Sequence, residues 1–128
     1  TIPIKIKKQK LKPKKYTRVY VLMNEKKEIM VRKRPSRGML ASMLEVPNDV
    51  WVDKKFLLQK DNLVRSIAEQ LQSIGSLVYS FSHFDLRAEV FYLEVNKKNF
   101  PNQKWLNISK YSNSQLPTVM KKIVEIIL

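Results

Sequence analysis

The chain contains no cysteine and a single histidine, His83. The first absence excludes disulfides, thiolate zinc sites and an iron–sulfur cluster built from these residues. The second excludes any site that needs two imidazoles. No apolar run approaches the ~20 residues that span a bilayer, and no charged-then-apolar leader opens the chain. A soluble protein is the expectation, in a compartment that is permitted to be reducing and that we take to be the cytoplasm. Acidic residues are few: eleven Asp and Glu stand against 25 Lys and Arg, for a formal net charge of +14.

The placement of that charge matters more than its size. Residues 1–37 carry fourteen Lys and Arg against Glu25 and Glu28, whereas residues 38–128 carry eleven basic and nine acidic side chains. A cationic segment on a nearly neutral body points to a polyanionic partner, because each neutralised phosphate releases a condensed counterion. A membrane surface attracts charge by the same physics but is normally met by an amphipathic basic helix. Here Pro3 and Pro13 flank alternating Ile4, Ile6 and Leu11, so no such helix is expected. Charge alone leaves a solvated tail without a partner as the alternative.

A length of 128 residues suits one domain with one core. Residues 1–15 read as an extended basic linker and residues 16–128 as the domain. Residues 16–23 and 28–34 are β-rich and flank a polar turn at 24–27, which predicts a hairpin. Residues 43–46 form a short strand that Pro47 stops. Between 60 and 74, Leu63, Ile67, Leu71 and Ile74 recur at helical spacing with Val64 alongside, so one amphipathic helix is expected, capped by Asp61 and ended by Gly75. Residues 77–81 and 88–95 read as strands, 105–108 as a short strand, and a last helix starts near Pro117. Pattern alone supports an α/β or α+β architecture.

Two segments carry more information than the rest: Gly38-Met39-Leu40-Ala41-Ser42-Met43-Leu44-Glu45-Val46-Pro47 and, further on, Phe81-Ser82-His83. The first resembles the Gly-Leu-Leu-Ala-x-Leu-Trp-Glu-Phe-Pro signature of the C-terminal domain of the MutY family, adenine DNA glycosylases that act on adenine mispaired with 8-oxoguanine. The second is similar to that domain's Phe-Ser-His loop, and the two occur in the family's order and spacing. Leu44 and Val46 replace an aromatic pair and keep both positions apolar. The resemblance implies a Nudix-like α+β fold, with a mixed β-sheet packed between two helices. It implies a recognition half whose partners are double-stranded DNA containing 8-oxoguanine:adenine and an N-terminal glycosylase domain of the same polypeptide. That domain would carry the iron–sulfur cluster and all catalytic residues. On this reading the present chain is monomeric, non-catalytic, free of cofactor and metal, and nucleoid-associated. Phe81, Ser82 and His83 become the lesion-binding candidates, and Lys33, Arg34 and Arg37 the DNA-backbone candidates.

The chemistry of those residues is compatible with the reading. Oxidation turns guanine N7 from an acceptor into a donor and adds an oxygen at C8, which alters the edge that a protein reads. The Ser82 hydroxyl both donates and accepts, Phe81 would brace the loop, and His83 would supply a planar or hydrogen-bonding contact. The bland alternative for the triplet is structural: Phe81 in the core, Ser82 tied to a turn, His83 half exposed. A Ser82, His83, Asp85 nucleophile set is disfavoured, since neighbours in extended chain point to opposite sides. Trp51, Trp105, Tyr79 and Tyr92 are candidates for base stacking or, more simply, for packing.

A rival reading from another class is a diverged Nudix hydrolase acting on an oxidised nucleotide or another pyrophosphate. Such an enzyme needs a carboxylate cluster to hold magnesium. In this chain Asn48-Asp49 follow Pro47 in place of glycines, and the cluster positions read Ala68, Glu69, Gln72 and Ser73, with one carboxylate among them. A third reading is an interaction module whose basic segment binds RNA or acidic partners.

Overall fold

The computed structural model describes residues 12–34 and 43–128. Among the described residues six strands form one mixed sheet: β1 (Lys14–Met23), β2 (Glu28–Lys33), β3 (Leu44–Glu45), β4 (Gln72–Ser80), β5 (Asp85–Glu94) and β6 (Lys104–Asn107). The order across the sheet is β3-β2-β1-β5-β4, with β6 on β2; β1 and β5 are parallel and every other pairing is antiparallel. One α-helix, α1 (Thr118–Glu125), lies against one face. A 3-10 helix, Asn62–Gln70, lies against the other.

β1 is central, so it is buried on both sides and its residues alternate between two cores. Val19, Val21 and Met23 join Ile29, Val31, Leu86, Ala88 and Val90 beneath Val119, Met120, Ile123 and Val124 of α1. Tyr20 and Leu22 face the opposite way and pack with Met30 and Val64, against Leu63, Ile67 and Leu71. Each large aliphatic side chain so buried contributes about 1.5–3 kcal/mol before the entropy of ordering is subtracted. The turn between β1 and β2 is set by Asn24, whose side-chain oxygen accepts from the Lys26 and Glu28 amides while Lys27 takes a left-handed φ of 61°.

β1 and β2 pair only near that turn, at Met23 and Ile29. Farther along they separate, and residues 44–52 fill the space between them. Leu44 and Glu45 pair with β2. After Pro47 the chain bonds to β1 instead, through Tyr20 N to Pro47 O at 2.8 Å, Asp49 N to Arg18 O at 2.9 Å and Tyr16 N to Val52 O at 2.7 Å.

Several boundaries differ from the sequence expectation. β1 begins at Lys14, so the last two lysines of the expected linker belong to the sheet. The amphipathic helix expected over 60–74 is a 3-10 helix ending at Gln70, and β4 begins two residues later at Gln72. Leu63, Val64, Ile67 and Leu71 do line the core as their spacing implied. The ladder that residues 72–80 make with β5 competes with continued helix and wins. Gly75 is accordingly not a helix stop. It sits in β4 opposite Val90, next to a register shift after Ser73, with φ of 157°. The Asp61 cap is made, its carboxylate accepting from Leu63 N at 3.1 Å. The last helix starts one residue after Pro117.

Candidate nucleic-acid interface

The segment wedged between β1 and β2 brings polar groups into a dry place, and each finds a partner. The Asp49 carboxylate is fully buried. Its Oδ2 accepts from Arg18 Nε, and its Oδ1 accepts from Tyr20 Oη at 2.6 Å and Asp61 N at 2.8 Å. Burial, with the Asp49 hydrogen bond and charge behind it, pushes the Tyr20 phenol far above its ordinary pKa. Arg32 donates to Glu45 at 2.6 Å, to both Asp61 oxygens at 2.9 and 3.0 Å, and to the Asn48 carbonyl at 3.0 Å. Burial disfavours the Asp61 carboxylate, but the Arg32 hydrogen bonds and charge outweigh it and hold its pKa below the usual value. Asn48 donates to Glu45 and to the Val46 carbonyl, and accepts from Trp51 Nε1 at 2.9 Å. Among the described residues no buried side-chain nitrogen or oxygen lacks a partner.

This network fixes Trp51, and Trp51 carries the second motif. Phe81 lies 5.8 Å from the Trp51 ring, 5.0 Å from Phe84 and 5.0 Å from Tyr79, centroid to centroid. Phe84 closes the group at 6.1 Å from Trp51. Residues 81–84 form the turn from β4 to β5, with Phe81 half-buried, Phe84 buried, and Ser82 and His83 exposed at the tip. An aromatic base under two polar side chains makes a stiff projection from the sheet edge.

Basic side chains surround that base. Arg34 stacks over Trp51 at 4.7 Å and donates to Glu45 at 2.8 Å. Lys15 sits 5.6 Å above the Phe84 ring. Lys12 donates to the Phe81 carbonyl at 2.9 Å and lies 3.5 Å from Asp85. Ser80 also bonds to Asp85, and these contacts, the Ser80 hydroxyl first, hold the Asp85 carboxyl below its ordinary pKa. Lys15, Arg34, Trp51 and Phe84 line a cleft of about 370 Å³ beside the turn. A larger cleft of about 490 Å³, between β1, β4, β5 and the segment at 55–58, includes none of the lesion-binding or DNA-backbone candidates, although Ser73 lines it.

The fold therefore brings Phe81, Ser82 and His83 together on one turn and places Arg34 beside its base. Lys33 ends β2, exposed and paired with Leu44, and Arg37 lies outside the described residues together with 38–42. Trp51 and Tyr79 belong to the aromatic base, whereas Trp105 packs in the opposite core and Tyr92 on the α1 face. Sequence reasoning missed Arg18, Arg32, Glu45, Asn48 and Asp49 as a unit. The available signal was the polar pair Asn48-Asp49 directly after the apolar Val46-Pro47, all four of which are buried.

A magnesium site of the hydrolase kind does not fit these residues. Glu69 is exposed at the end of the 3-10 helix, and Gln72 and Ser73 are exposed in β4. Glu45 and Asp61 are engaged by arginines. Among the described residues no group of three His, Cys, Asp or Glu could hold a metal ion.

Comparison with known proteins agrees with the architecture. The human adenine DNA glycosylase is 26% identical over 112 residues, covering 77% of this chain and 20% of that protein, and the mouse enzyme is 26% identical over 107 residues, covering 74% and 21%. The chain thus spans about a fifth of the length of these curated relatives. The C-terminal domain of mouse MUTYH, solved in complex with human PCNA, superposes with a TM-score of 0.67 at 18% identity over 88% of this chain and 86% of that one. A MutT protein from Methanosarcina mazei Go1 superposes at 0.64, also at 18% identity, over 89% and 92%. The NUDIX domain model matches residues 18–126, and the chain belongs to that family, its sheet superposing on that of the C-terminal domain of mouse MUTYH.

Proposed function

We propose that this chain is the DNA-binding, lesion-recognition domain of an adenine DNA glycosylase, and that it reads 8-oxoguanine opposite the adenine to be excised. The observation that carries the reading is the turn at 81–84: Ser82 and His83 stand exposed on a base of Phe81, Phe84, Tyr79 and Trp51, ringed by Lys12, Lys15 and Arg34. A base edge is discriminated by hydrogen-bonding groups held in a fixed position, and phosphates are held by cations beside it. In this assignment Ser82 reads the oxidised edge, His83 contacts the base or its backbone, and Lys33, Arg34 and Arg37 steer the phosphates. The catalytic domain and its iron–sulfur cluster would lie elsewhere in the same polypeptide. Such a protein would act on chromosomal DNA in the cytoplasm.

The test is Ser82→Ala in this chain joined to a glycosylase domain. Handling of adenine opposite 8-oxoguanine should weaken by about 1–3 kcal/mol, with adenine opposite guanine changing much less. Equal losses on both mispairs at an unchanged melting temperature would make Ser82 a general positioning residue and sink the lesion-reading role. The hydrolase reading predicts magnesium-dependent release of phosphate or pyrophosphate from nucleoside triphosphates, which the donor set described above gives no reason to expect.

A further inference from the structure

The turn at 81–84 is not a two-residue hairpin loop of the common kind. A two-residue hairpin loop is relieved of strain by positive φ at its central positions, which Asn and Gly supply. Among the described non-glycine residues only Lys27 and Asn102 have positive φ, so Ser82 and His83 do not form such a turn. One closing bond is made, from the Phe81 N–H to the Phe84 carbonyl at 2.8 Å. The Phe81 carbonyl, the acceptor that a tight hairpin would offer to Phe84, is instead taken by the Lys12 ammonium at 2.9 Å. The same ammonium lies 3.5 Å from Asp85, the first residue of β5, and the Asp85 N–H donates to the Pro13 carbonyl at 3.0 Å. The chain entering β1 is therefore stitched to both ends of the turn, by a side chain at Phe81 and by backbone and side chain at Asp85.

We propose that Lys12 is a positioning residue for the reading turn: its ammonium substitutes for the missing hairpin bond and sets where Ser82 and His83 stand. The inference rests on the lesion-reading assignment for its consequence in DNA binding, but not for its geometry. Lys12 acts through the Phe81 carbonyl, whose residue immediately precedes Ser82. An exposed ion pair adds little stability, so the effect of Lys12 lies in where the turn rests and not in how firmly the domain folds. The position of Lys12 and the position of the reading side chains are then one variable.

The experiment compares Lys12→Met, Lys12→Arg and Lys14→Met in the 128-residue chain. Lys14 is an exposed neighbour on β1 whose side chain has no bond to the turn, so its loss matches the charge removed without touching the geometry. Amide NMR shifts and hydrogen exchange report the turn, and binding to duplexes carrying 8-oxoguanine:adenine or guanine:adenine reports discrimination. Lys12→Met is expected to move the Ser82, His83 and Phe84 amides and speed their exchange. It should lower the affinity ratio between the two duplexes by about three- to tenfold, the scale of one hydrogen bond. Lys14→Met should weaken both duplexes together and leave the ratio and the turn amides alone, and Lys12→Arg should recover much of the ratio. If Lys12→Met is indistinguishable from Lys14→Met in both measurements, the proposal is overturned. If the turn amides move but the unaltered chain shows no preference for 8-oxoguanine, the positioning role stands and the lesion-reading assignment fails.

Discussion

Asp49 offers the sharpest test of how the site is held. Its carboxylate is fully buried, with Oδ2 facing Arg18 and Oδ1 facing both Tyr20 Oη and Asp61 N. Asp49→Asn keeps the shape and removes the charge. In one amide orientation the new NH₂ group meets the Arg18 Nε, donor against donor; in the other it meets Tyr20 and Asp61 N. The tyrosine hydroxyl can turn to accept, but the Asp61 amide cannot. At least one charge-assisted bond is lost, at about 1.5–3 kcal/mol, and Arg18 keeps its charge without its counterion. Removing one member of a fully buried pair costs about 3–5 kcal/mol, and the Arg18 side chain, 19% exposed, recovers part of that from water. The expected loss is about 2–4 kcal/mol, a large share of the ~5–15 kcal/mol by which a domain is stable. Tyr20→Phe, which deletes one neutral donor and keeps the ring, should cost about 1 kcal/mol. Equilibrium urea unfolding followed by tryptophan fluorescence and far-UV circular dichroism measures both. An Asp49→Asn midpoint within ~0.5 kcal/mol of the parent, at unchanged m-value, would refute the view that this carboxylate organises the segment.

Acid should attack the same network. The folded-state pKa of Asp61 is lowered by Arg32, so its contribution to stability is complete above the ordinary carboxylate range and is lost as pH falls through the folded value. Urea midpoints should therefore drop between pH 5 and 3 by more in the parent than in Asp61→Asn, and equal drops would contradict it. Trp51→Ala should cost about 2 kcal/mol, below the ~3–5 of a fully buried ring because Trp51 is half-buried, and should loosen the turn at 81–84 by amide exchange. Gly75→Ala should cost about 1–2 kcal/mol through backbone strain, since a Cβ there meets only Ile126 at an ordinary 3.7 Å; a neutral result in thermal melts would show that β4 relaxes around the bulge. If Lys33 contacts a phosphate, Lys33→Ala should reduce the log-log salt slope of duplex binding by about 1, and an unchanged slope would remove it from the interface.

The sequence by itself was enough for the family resemblance, the succession of strands along the chain and the apolar stripe at 63–71, because β-rich runs and a spacing of three or four are written in residue type; which strands are neighbours, and that β1 is buried on both faces, only the structure decided. The sequence also set Phe81, Ser82 and His83 side by side, as the end of a strand and the start of the loop after it, and the structure ends that strand one residue earlier, at Ser80. It could not decide helix against strand at 71–76, where Leu71 and Ile74 suit either and only the ladder to β5 chooses. Nor could it assemble Arg18, Arg32, Glu45, Asp49 and Asp61, which lie on four segments and meet only because β1 and β2 separate to admit the chain after Glu45. Lys12 read as one more tail charge for the same reason. Its contact with the Phe81 carbonyl depends on how near the chain entering β1 lies to the end of β4, and no pattern along the chain encodes that distance.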